Sequence, residues 1–598
     1  MRLLHLRDDH DGCFTPAREP QPIRGRDLAF HGRQHMPLWN ISTYSRCDRE
    51  GREGPETVHE RVQPMSGKPD FPIPLEPERY ELSAQSAYRF EVDRREFFKI
   101  LGAGILIVGV MKNTKAFRES GIGRRPDESL PKEIRAWLHL GENGAVTVYT
   151  GKVGVGQNVR TSLSQCVAEE LYVPMSKIQM VMGDTQLTPF DMGTFGSRTT
   201  PTMSPQLRKV AAAARDLLIG LAATQWQIDR KRLVAADGKV TDPETKRSVE
   251  YAALVKGQQF TQTISAEDFF IPPTQWAVQG QSLPKVDGRD FVTGKHRYPS
   301  DLTLPEMLHG KILRPASFGA TLVSIDIHEA EQIPAVTVVH DGNFVGVAAP
   351  SAEIASRAVK TIRAEWKTEP QPTEKELFEY LKNNVVADKN PTANTSRDEA
   401  DSVEEALALA DHRLQQIYTV SYIAHAPLEP RAALAQWSGD NLTVWTGTQR
   451  PFGVRSELAE AFRIPEERVR VLMPDTGSGY GGKHTGEAAI EAARLARAAK
   501  RPVKLVWTRE EEFTWAYFRP AGVIEVTGGL RSDGTIVAWE FHNYNSGEAG
   551  IQTYYDIANK KIEFHPTRSP LRQGSYRALA APRITSPASP AWTNWLVW

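Results

Sequence analysis

The stretch VRVLMPDTGSGYGGKHTGEAAIEAARLARAAKRPVKLVW, Val469 to Trp507, puts four glycines into six positions between an alternating apolar strand and an alanine-rich helical run. A second apolar strand follows. Glycine lacks Cβ and tolerates positive φ, so such density serves a sharp turn or a close approach of bare backbone. Two readings compete. Gly477 to Lys483 nearly spells the phosphate-cradling G-x-x-x-x-G-K loop, which needs a Ser or Thr next to ligate magnesium. His484 stands there instead, and the strand PVKLVW runs into Thr508 and Arg509 without a metal-binding carboxylate. The other reading is a loop whose main chain approaches a bulky metal-bearing cofactor.

The chain has 598 residues, which at ~150 residues per domain predicts about three or four domains. Lys plus Arg and Asp plus Glu both total 73. That balance gives no electrostatic case for a nucleic-acid partner or an anionic membrane surface. The cysteines are Cys13, Cys47 and Cys166, too few and too scattered for a zinc or iron–sulfur spacing or a disulfide framework. Electrons from any redox chemistry must therefore leave through a bound cofactor or another chain.

Residues 1–64 lack sustained periodicity and read as a non-native or disordered extension, with Met65 as a plausible initiator. Residues 65–130 read as a leader. Within it Arg94–Arg95, then Phe97, Phe98 and Lys99, precede an apolar run of ~12 residues, short of the ~20 that span a bilayer. This resembles a twin-arginine export signal, with a periplasmic or membrane-associated destination expected. The alternative is a short buried helix in a cytoplasmic protein. Residues 582–598 change character and carry three tryptophans in the last eight positions. A one-nucleotide frame shift near Pro582 would account for them, and a truncated product is the expectation.

Between these ends, Val146, Val148 and Thr150 alternate as a strand; Gly151, Gly154 and Gly156 turn the chain; and Thr161 and Ser162 can cap a helix carrying Leu163, Val167 and Leu171. The spacing is not the dinucleotide fingerprint. In DMGTFGSRTT, Thr194, Ser197, Thr199 and Thr200 offer more hydroxyls than one helix cap uses. From Pro284 short strands and turns read as a separate small module, and Pro-rich KTEPQPTEKE marks a linker before a helix near Phe378–Val385. His425 and Glu429 stand four apart among prolines, which favours structural use over metal ligation. Beyond Ala408, strands alternating with helices predict α/β packing.

Seven motifs in one order carry a resemblance: GKVGVGQNVRTSLSQCVAEEL, GTFGSRTT, VTGKHRYPSDLTLPEMLHGKILRPASFGA, HAPLEPRAALAQW, TGTQRP, GSGYGGK and YRALAAP. Together, over roughly Trp137 to Ala581, they resemble the large, molybdopterin-binding subunit of the xanthine dehydrogenase family, of the isoquinoline 1-oxidoreductase beta-subunit type. The resemblance implies an α+β multidomain architecture. A first molybdopterin-binding unit takes residues 131–280, a hammerhead domain 281–370, a linker and helix 371–400, and an incomplete second molybdopterin-binding unit 401–581.

It further implies hydroxylation of an N-heterocycle or aldehyde, with water as the oxygen source. The implied cofactor is molybdenum on molybdopterin, in the cytosine dinucleotide form. Electrons pass to a small [2Fe–2S] subunit and on to a cytochrome-type acceptor. The residues matched as cofactor-binding are Gly156, Gln157, Thr194, Gly196, Ser197, Thr199, Thr200, Gln449, Gly479, Gly481 and Gly482. Tyr480 and Arg577 match catalytic positions, and molybdenum has no direct protein ligand. Side chains at the three loop glycines would hold the backbone away from the metal's oxo group. His484 replaces a substrate-positioning Glu of some relatives, which disfavours purines. The family's general-base Glu falls past Trp598, which leaves a non-catalytic remnant as the alternative to an active enzyme, beside the phosphate-loop reading.

Overall fold

The computed structural model describes residues 104–108, 136–257, 259–263, 270–386, 403–547, 551–553 and 555–577, all within the unit Phe71–Trp598. Residues 1–64, Met65, Arg94–Arg95, the 387–402 segment and the 582–598 tail lie outside them, as do Cys13 and Cys47.

The amino-terminal part contains β1 (Gly104–Val108), β2 (Ala136–Gly141), β3 (Val146–Thr150), β4 (Ile178–Met182), the small sheet β5 (Val234–Ala236), β6 (Lys239–Thr241) and β7 (Ser248–Glu250), and β8 (Gln259–Thr263). The main sheet has the order β4-β3-β2-β1-β8. Two helices cover it, α1 (Val159–Leu171) and α2 (Ser204–Trp226). Val159, Leu163, Val167 and Leu171 recur every four residues on α1 and are all buried, the stripe a sheet-packed helix needs. On α2 the alanines 211, 212, 213, 214 and 222 are buried, and their small side chains let the two helices approach closely.

Two expectations change here. Within the apolar run, Gly104–Val108 form strand β1, antiparallel to β2 and parallel to β8, in place of the short helix kept as the alternative to an export signal; Ile and Val suit extended backbone. Helix α1 begins at Val159, before the expected hydroxyl cap. Thr161 instead donates to Asn158 Oδ1 at 2.7 Å and accepts from the Val286 N–H at 2.9 Å.

The middle of the chain adds β9 (Leu308–Ile312), β10 (Thr321–Asp326), β11 (Thr337–Asp341), β12 (Phe344–Ala349), α3 (Ala352–Thr361) and β13 (Arg363–Lys367). The carboxy-terminal part adds β14 (His412–Val420), β15 (Ala432–Ser438), β16 (Asn441–Thr446), α4 (Pro451–Phe462), β17 (Val469–Leu472), α5 (Glu487–Ala499), β18 (Val503–Val506), β19 (Gly522–Leu530), β20 (Ile536–Tyr544) and β21 (Asn559–His565). One seven-stranded sheet runs β11-β12-β9-β18-β15-β16-β17, and a four-stranded sheet runs β14-β19-β20-β21.

The middle segment has a core of its own around Val345, Val347, Ala355 and Ala358, while its sheet continues into the carboxy-terminal part. Its β9 pairs in parallel with β18, Leu308 opposite Val503. The alternating β-rich sequence leaves an edge unpaired, and the carboxy-terminal part supplies the missing neighbour. Among the described residues no helix is long and apolar enough to cross a membrane.

Two βαβ units face each other through their loop-bearing edges. Parallel neighbours β3 and β4 are joined by α1, and parallel neighbours β16 and β17 by α4. The carboxyl ends of β4 and β17 meet at an antiparallel bridge between Asp184 and Leu472. Thr185 N–H donates to Val471 O at 3.0 Å, Met473 N–H to Gly183 O at 3.0 Å, and Arg470 pairs with Asp184 at 2.6 Å. Loops leaving the carboxyl ends of parallel strands are the usual ligand-binding edge of such units.

Candidate cofactor site

Four loops converge at that edge: 151–158 after β3, 183–198 after β4, 447–450 after β16, and 473–486 after β17. Gln449 joins three of them. Its Nε2 donates to Thr194 O at 2.9 Å, its Oε1 accepts the Gly481 N–H at 2.9 Å, and its own N–H donates to Lys483 O at 2.7 Å. The fourth loop is tied in by Val153 N–H to Thr194 Oγ1 at 2.9 Å and by Thr476 N–H to Gly154 O at 3.0 Å. Lys152, buried, reaches Asp191 at 2.9 Å and Gly193 O at 2.7 Å. A side-chain amide carries both a donor and an acceptor, so a buried Gln can splice two backbone segments of opposite polarity.

Thr194 gives a direct check of this construction. Valine keeps its volume but leaves the Val153 N–H buried without an acceptor, which costs ~1–3 kcal/mol. Thr194→Val is expected to lower the denaturation midpoint of the full chain accordingly. An unchanged midpoint would show that the loop junction does not depend on this bond.

The glycine loop itself is folded around protein. A Cβ on Gly482 would stand 2.5 Å from His425 Cγ, and one on Gly479 2.6 Å from Gln449 Oε1. Gly481 has φ +93°, and its Cβ would meet Ser575 O at 2.9 Å. These glycines let the loop seat on His425, Gln449 and the 572–577 segment. The room they make is filled by this chain's own atoms, a demand separate from the expected clearance for a metal's oxo group.

Lys483 settles the phosphate-loop question. It is 1% exposed, with Nζ 2.9 Å from Thr476 Oγ1 and 3.7 Å from Glu429 Oε2. Burial lowers its pKa to about 8 despite the nearby carboxylates. An ammonium turned into the protein in this way does not reach a nucleotide's phosphates. Glu429 is held by Ser300 N–H at 3.0 Å, Ser300 Oγ at 2.9 Å, Gly477 N–H at 2.8 Å and the Thr476 hydroxyl. His425 donates from Nε2 to Ser575 O, 2.7 Å away. Both serve the structure, as the prolines suggested, and the segment between them is not helical.

The remaining expected residues fall into a buried and an exposed set. Thr194, Gln449, Gly479 and Gly482 are buried. Gly156, Gln157, Ser197, Thr200, Tyr480 and Arg577 are exposed, with Gly196, Thr199 and Gly481 between the two. Ser197 and Tyr480 hold φ of +56° and +58°. Gln157 folds onto its own turn, accepting from Val155 N–H at 2.6 Å and donating to Val153 O at 3.0 Å. Thr199 lies in a π-helical turn, Thr199–Met203, ahead of α2. His484 is buried against Phe195, ring centroids 5.3 Å apart.

A polar cofactor fits this edge. The space around the Cβ position of Gly156 is open, and the start of α1 beside it carries no side-chain cap. Uncapped N–H groups there suit a phosphate or a pterin edge. Ser197, Thr200 and Arg198 add exposed hydroxyl and guanidinium donors from the adjoining loop.

Comparison with known proteins assigns that cofactor. Two family models described as molybdopterin cofactor-binding domain match, over residues 82–293 and 383–565. The B subunit of nicotinate dehydrogenase from Pseudomonas putida is 32% identical over 423 residues, 69% of this chain and 35% of that protein. The beta subunit of isoquinoline 1-oxidoreductase from Brevundimonas diminuta is 25% identical over 453 residues, 67% of this chain and 58% of that protein. This chain belongs to the xanthine dehydrogenase family of molybdopterin-binding large subunits.

Quinoline 2-oxidoreductase from Pseudomonas putida 86 also resembles it, at 25% identity and TM-score 0.44 over 50% of this chain and 46% of that one. The chain spans about a third of the nicotinate dehydrogenase relative and somewhat over half of the isoquinoline one. The first matched domain takes in β1 to β8 with α1 and α2, and the second includes β14 to β21. The four converging loops therefore come from both matched domains. The residues that sequence reading missed are the partners underneath: buried Lys152, Asp191, Arg431, Thr476 and Glu512, and half-buried Ser300. Lys152, Ser300 and Arg431 lie within the quoted motifs, and Asp191 and Thr476 beside them, but nothing local marks them as partners.

Proposed function

We propose that this chain holds molybdenum on molybdopterin, in the cytosine dinucleotide form, for the hydroxylation of an N-heterocycle with water as the oxygen source. Aldehydes are the second substrate class. The observation that carries the reading is the Gln449 junction, which locks loops of both molybdopterin-binding domains into one edge. The names of the two relatives, nicotinate dehydrogenase and isoquinoline 1-oxidoreductase, favour an N-heterocycle. When bound, the molybdenum centre supplies the two-electron oxidation and acidifies water.

This chain's residues supply position. Gly156, Gln157 and the start of α1 hold the polar end of the cofactor, with Gly196, Ser197, Thr199 and Thr200 on the adjoining loop. Gln449 and the glycines 479, 481 and 482 set the loop that faces it. Tyr480, 38% exposed, walls the substrate side. Arg577, exposed, offers a cation beside it. Electrons leave to a [2Fe–2S] partner subunit and a cytochrome-type acceptor, and Arg94–Arg95 directs export with the cofactor loaded.

One observation favours a second reading, a cofactor-binding but non-catalytic subunit. Of the buried or half-buried carboxylates at this edge, Asp191, Glu429, Asp475, Glu487 and Glu512 are each engaged by a cation, hydroxyl or backbone N–H. None of these five is poised as a general base, a group typically worth ~10²–10⁴-fold in rate.

The test is molybdenum content of the full chain made in a host that assembles the cofactor, followed by dye reduction with nicotinate, quinoline and aldehydes. One molybdenum per chain is expected. Gln449→Leu leaves the Gly481 N–H unpaired at ~1–3 kcal/mol, so about tenfold weaker retention is expected. Molybdenum without dye reduction selects the non-catalytic reading. Wild-type protein retaining no more metal than the variant would end both.

A further inference from the structure

We propose that His542, His565 and Glu563 form a binding site for a divalent transition metal of the zinc class, on one face of the four-stranded sheet. The site uses none of the residues assigned to the molybdenum cofactor.

Strands β20 and β21 are parallel, with Glu540 opposite Lys561, His542 opposite Glu563 and Tyr544 opposite His565. Side chains alternate along a strand, so all six of these residues share one face. The opposite face carries Phe541 and Ile562, each 2% exposed, in the hydrophobic core. That core holds the two strands in register whether or not the polar face binds anything.

Three donor atoms meet on the polar face. His542 Nδ1 lies 3.0 Å from His565 Nε2 and 3.2 Å from Glu563 Oε2, and the last two are 3.8 Å apart. Zinc bonds of ~2.0–2.1 Å in a tetrahedron require ligand atoms about 3.3–3.4 Å apart. The observed triangle brackets that edge, so small side-chain rotations bring all three atoms onto one ion. Two imidazoles and a carboxylate are also a donor set that zinc accepts, with a fourth position left for water.

The outer partner matches as well. His542 Nε2 lies 3.0 Å from Glu540 Oε1. A carboxylate there keeps the proton on Nε2 and leaves the Nδ1 lone pair facing His565 and Glu563, the carboxylate–histidine arrangement that orients metal ligands. Tyr544 fixes the second ring, stacked on His565 with centroids 4.4 Å apart. The three ligand side chains are 19%, 21% and 24% exposed, so an ion can enter from solvent. Lys561 is the competitor, 3.7 Å from Glu540 and 3.8 Å from Glu563. It is 30% exposed on a flexible stem and can swing outward. Glu525, paired with Lys382, adds a further carboxylate from β19 opposite His542.

The test titrates the untagged full chain, first stripped with a chelator, with Co²⁺ alone and then Zn²⁺. One Co²⁺ per chain is expected, with a visible d–d band that Zn²⁺ displaces. His565→Phe, which keeps the ring on Tyr544, should abolish the band while circular dichroism stays unchanged. Glu540→Gln, which touches no metal, should weaken binding by ~10–100-fold, and Lys561→Met should tighten it. Equal Co²⁺ affinity in wild type and a folded His565→Phe protein overturns the proposal. Should that variant misfold, a Glu540→Gln affinity equal to wild type overturns it instead.

Discussion

Replacing Arg431 with methionine is expected to destabilise the chain by ~3–5 kcal/mol, the usual loss when one partner of a buried ion pair is removed. Arg431 is 4% exposed. Its Nη1 lies 2.7 Å from Glu512 Oε2 and its Nε 3.4 Å from Glu487 Oε2. Its backbone N–H also donates to Glu512, and its Nη2 donates to the carbonyl of Gly482. Glu512 is 2% exposed and Glu487 3%. Burial alone would raise the Glu487 pKa, but Arg431 and then Arg572 outweigh it and hold the carboxyl at about 2. Methionine leaves both carboxylates charged in the interior with one cation, Arg572, for Glu487. Glu487 stabilises the fold above an unfolded pKa near 4.5, and that contribution fades as pH falls toward 2. A urea series on wild type and Arg431→Met at neutral pH measures the loss. A difference below about 1 kcal/mol would mean that the network is solvated or rearranges.

The second large effect is a pH dependence carried by His425. Burial, reinforced by the charge of Arg431, lowers its pKa to about 3, and its hydrogen bond to Ser575 O does not restore it. In the unfolded chain the ring titrates near 6.5. Between those values the unfolded state binds a proton that the native state refuses, so stability falls as pH falls. The slope is about 1.4 kcal/mol per pH unit, fully developed below the unfolded value and ending near the folded one. His425→Asn removes that slope whatever it does to absolute stability. The window from about pH 6.5 to about 5 is the useful one, because carboxylates such as Glu487 add their own slope below it. Parallel pH profiles for the two proteins would show that His425 is not kept neutral. A proton on this ring would sit at Nδ1, which is buried without a hydrogen-bond acceptor.

Local order was legible in the residues. Val146, Val148 and Thr150 alternate, and β3 lies there; Leu163, Val167 and Leu171 recur at helical spacing, and α1 buries them. Periodicity survives because it depends on which side of one element meets the core. The apolar run around Gly104–Val108 stayed open between a leader and a short helix because its length and flanks describe several fates, and only pairing with β2 and β8 selects a strand over a helix for these five residues. Gln449 was picked out as a cofactor contact, but its amide splices Thr194 to Gly481 across 255 and 32 residues of chain. No local pattern encodes a bond of that separation.

The order of motifs along the chain was enough to place it in the xanthine dehydrogenase family, because each motif is a short run whose turn chemistry depends on near neighbours. What the glycine loop holds was decided in three dimensions. Lys483 could have pointed outward to a phosphate or inward to Glu429, and His425 could have bound an ion or carried a loop. The outcome depends on the local dielectric and on partners up to 150 residues away, and both exist only once the chain has folded.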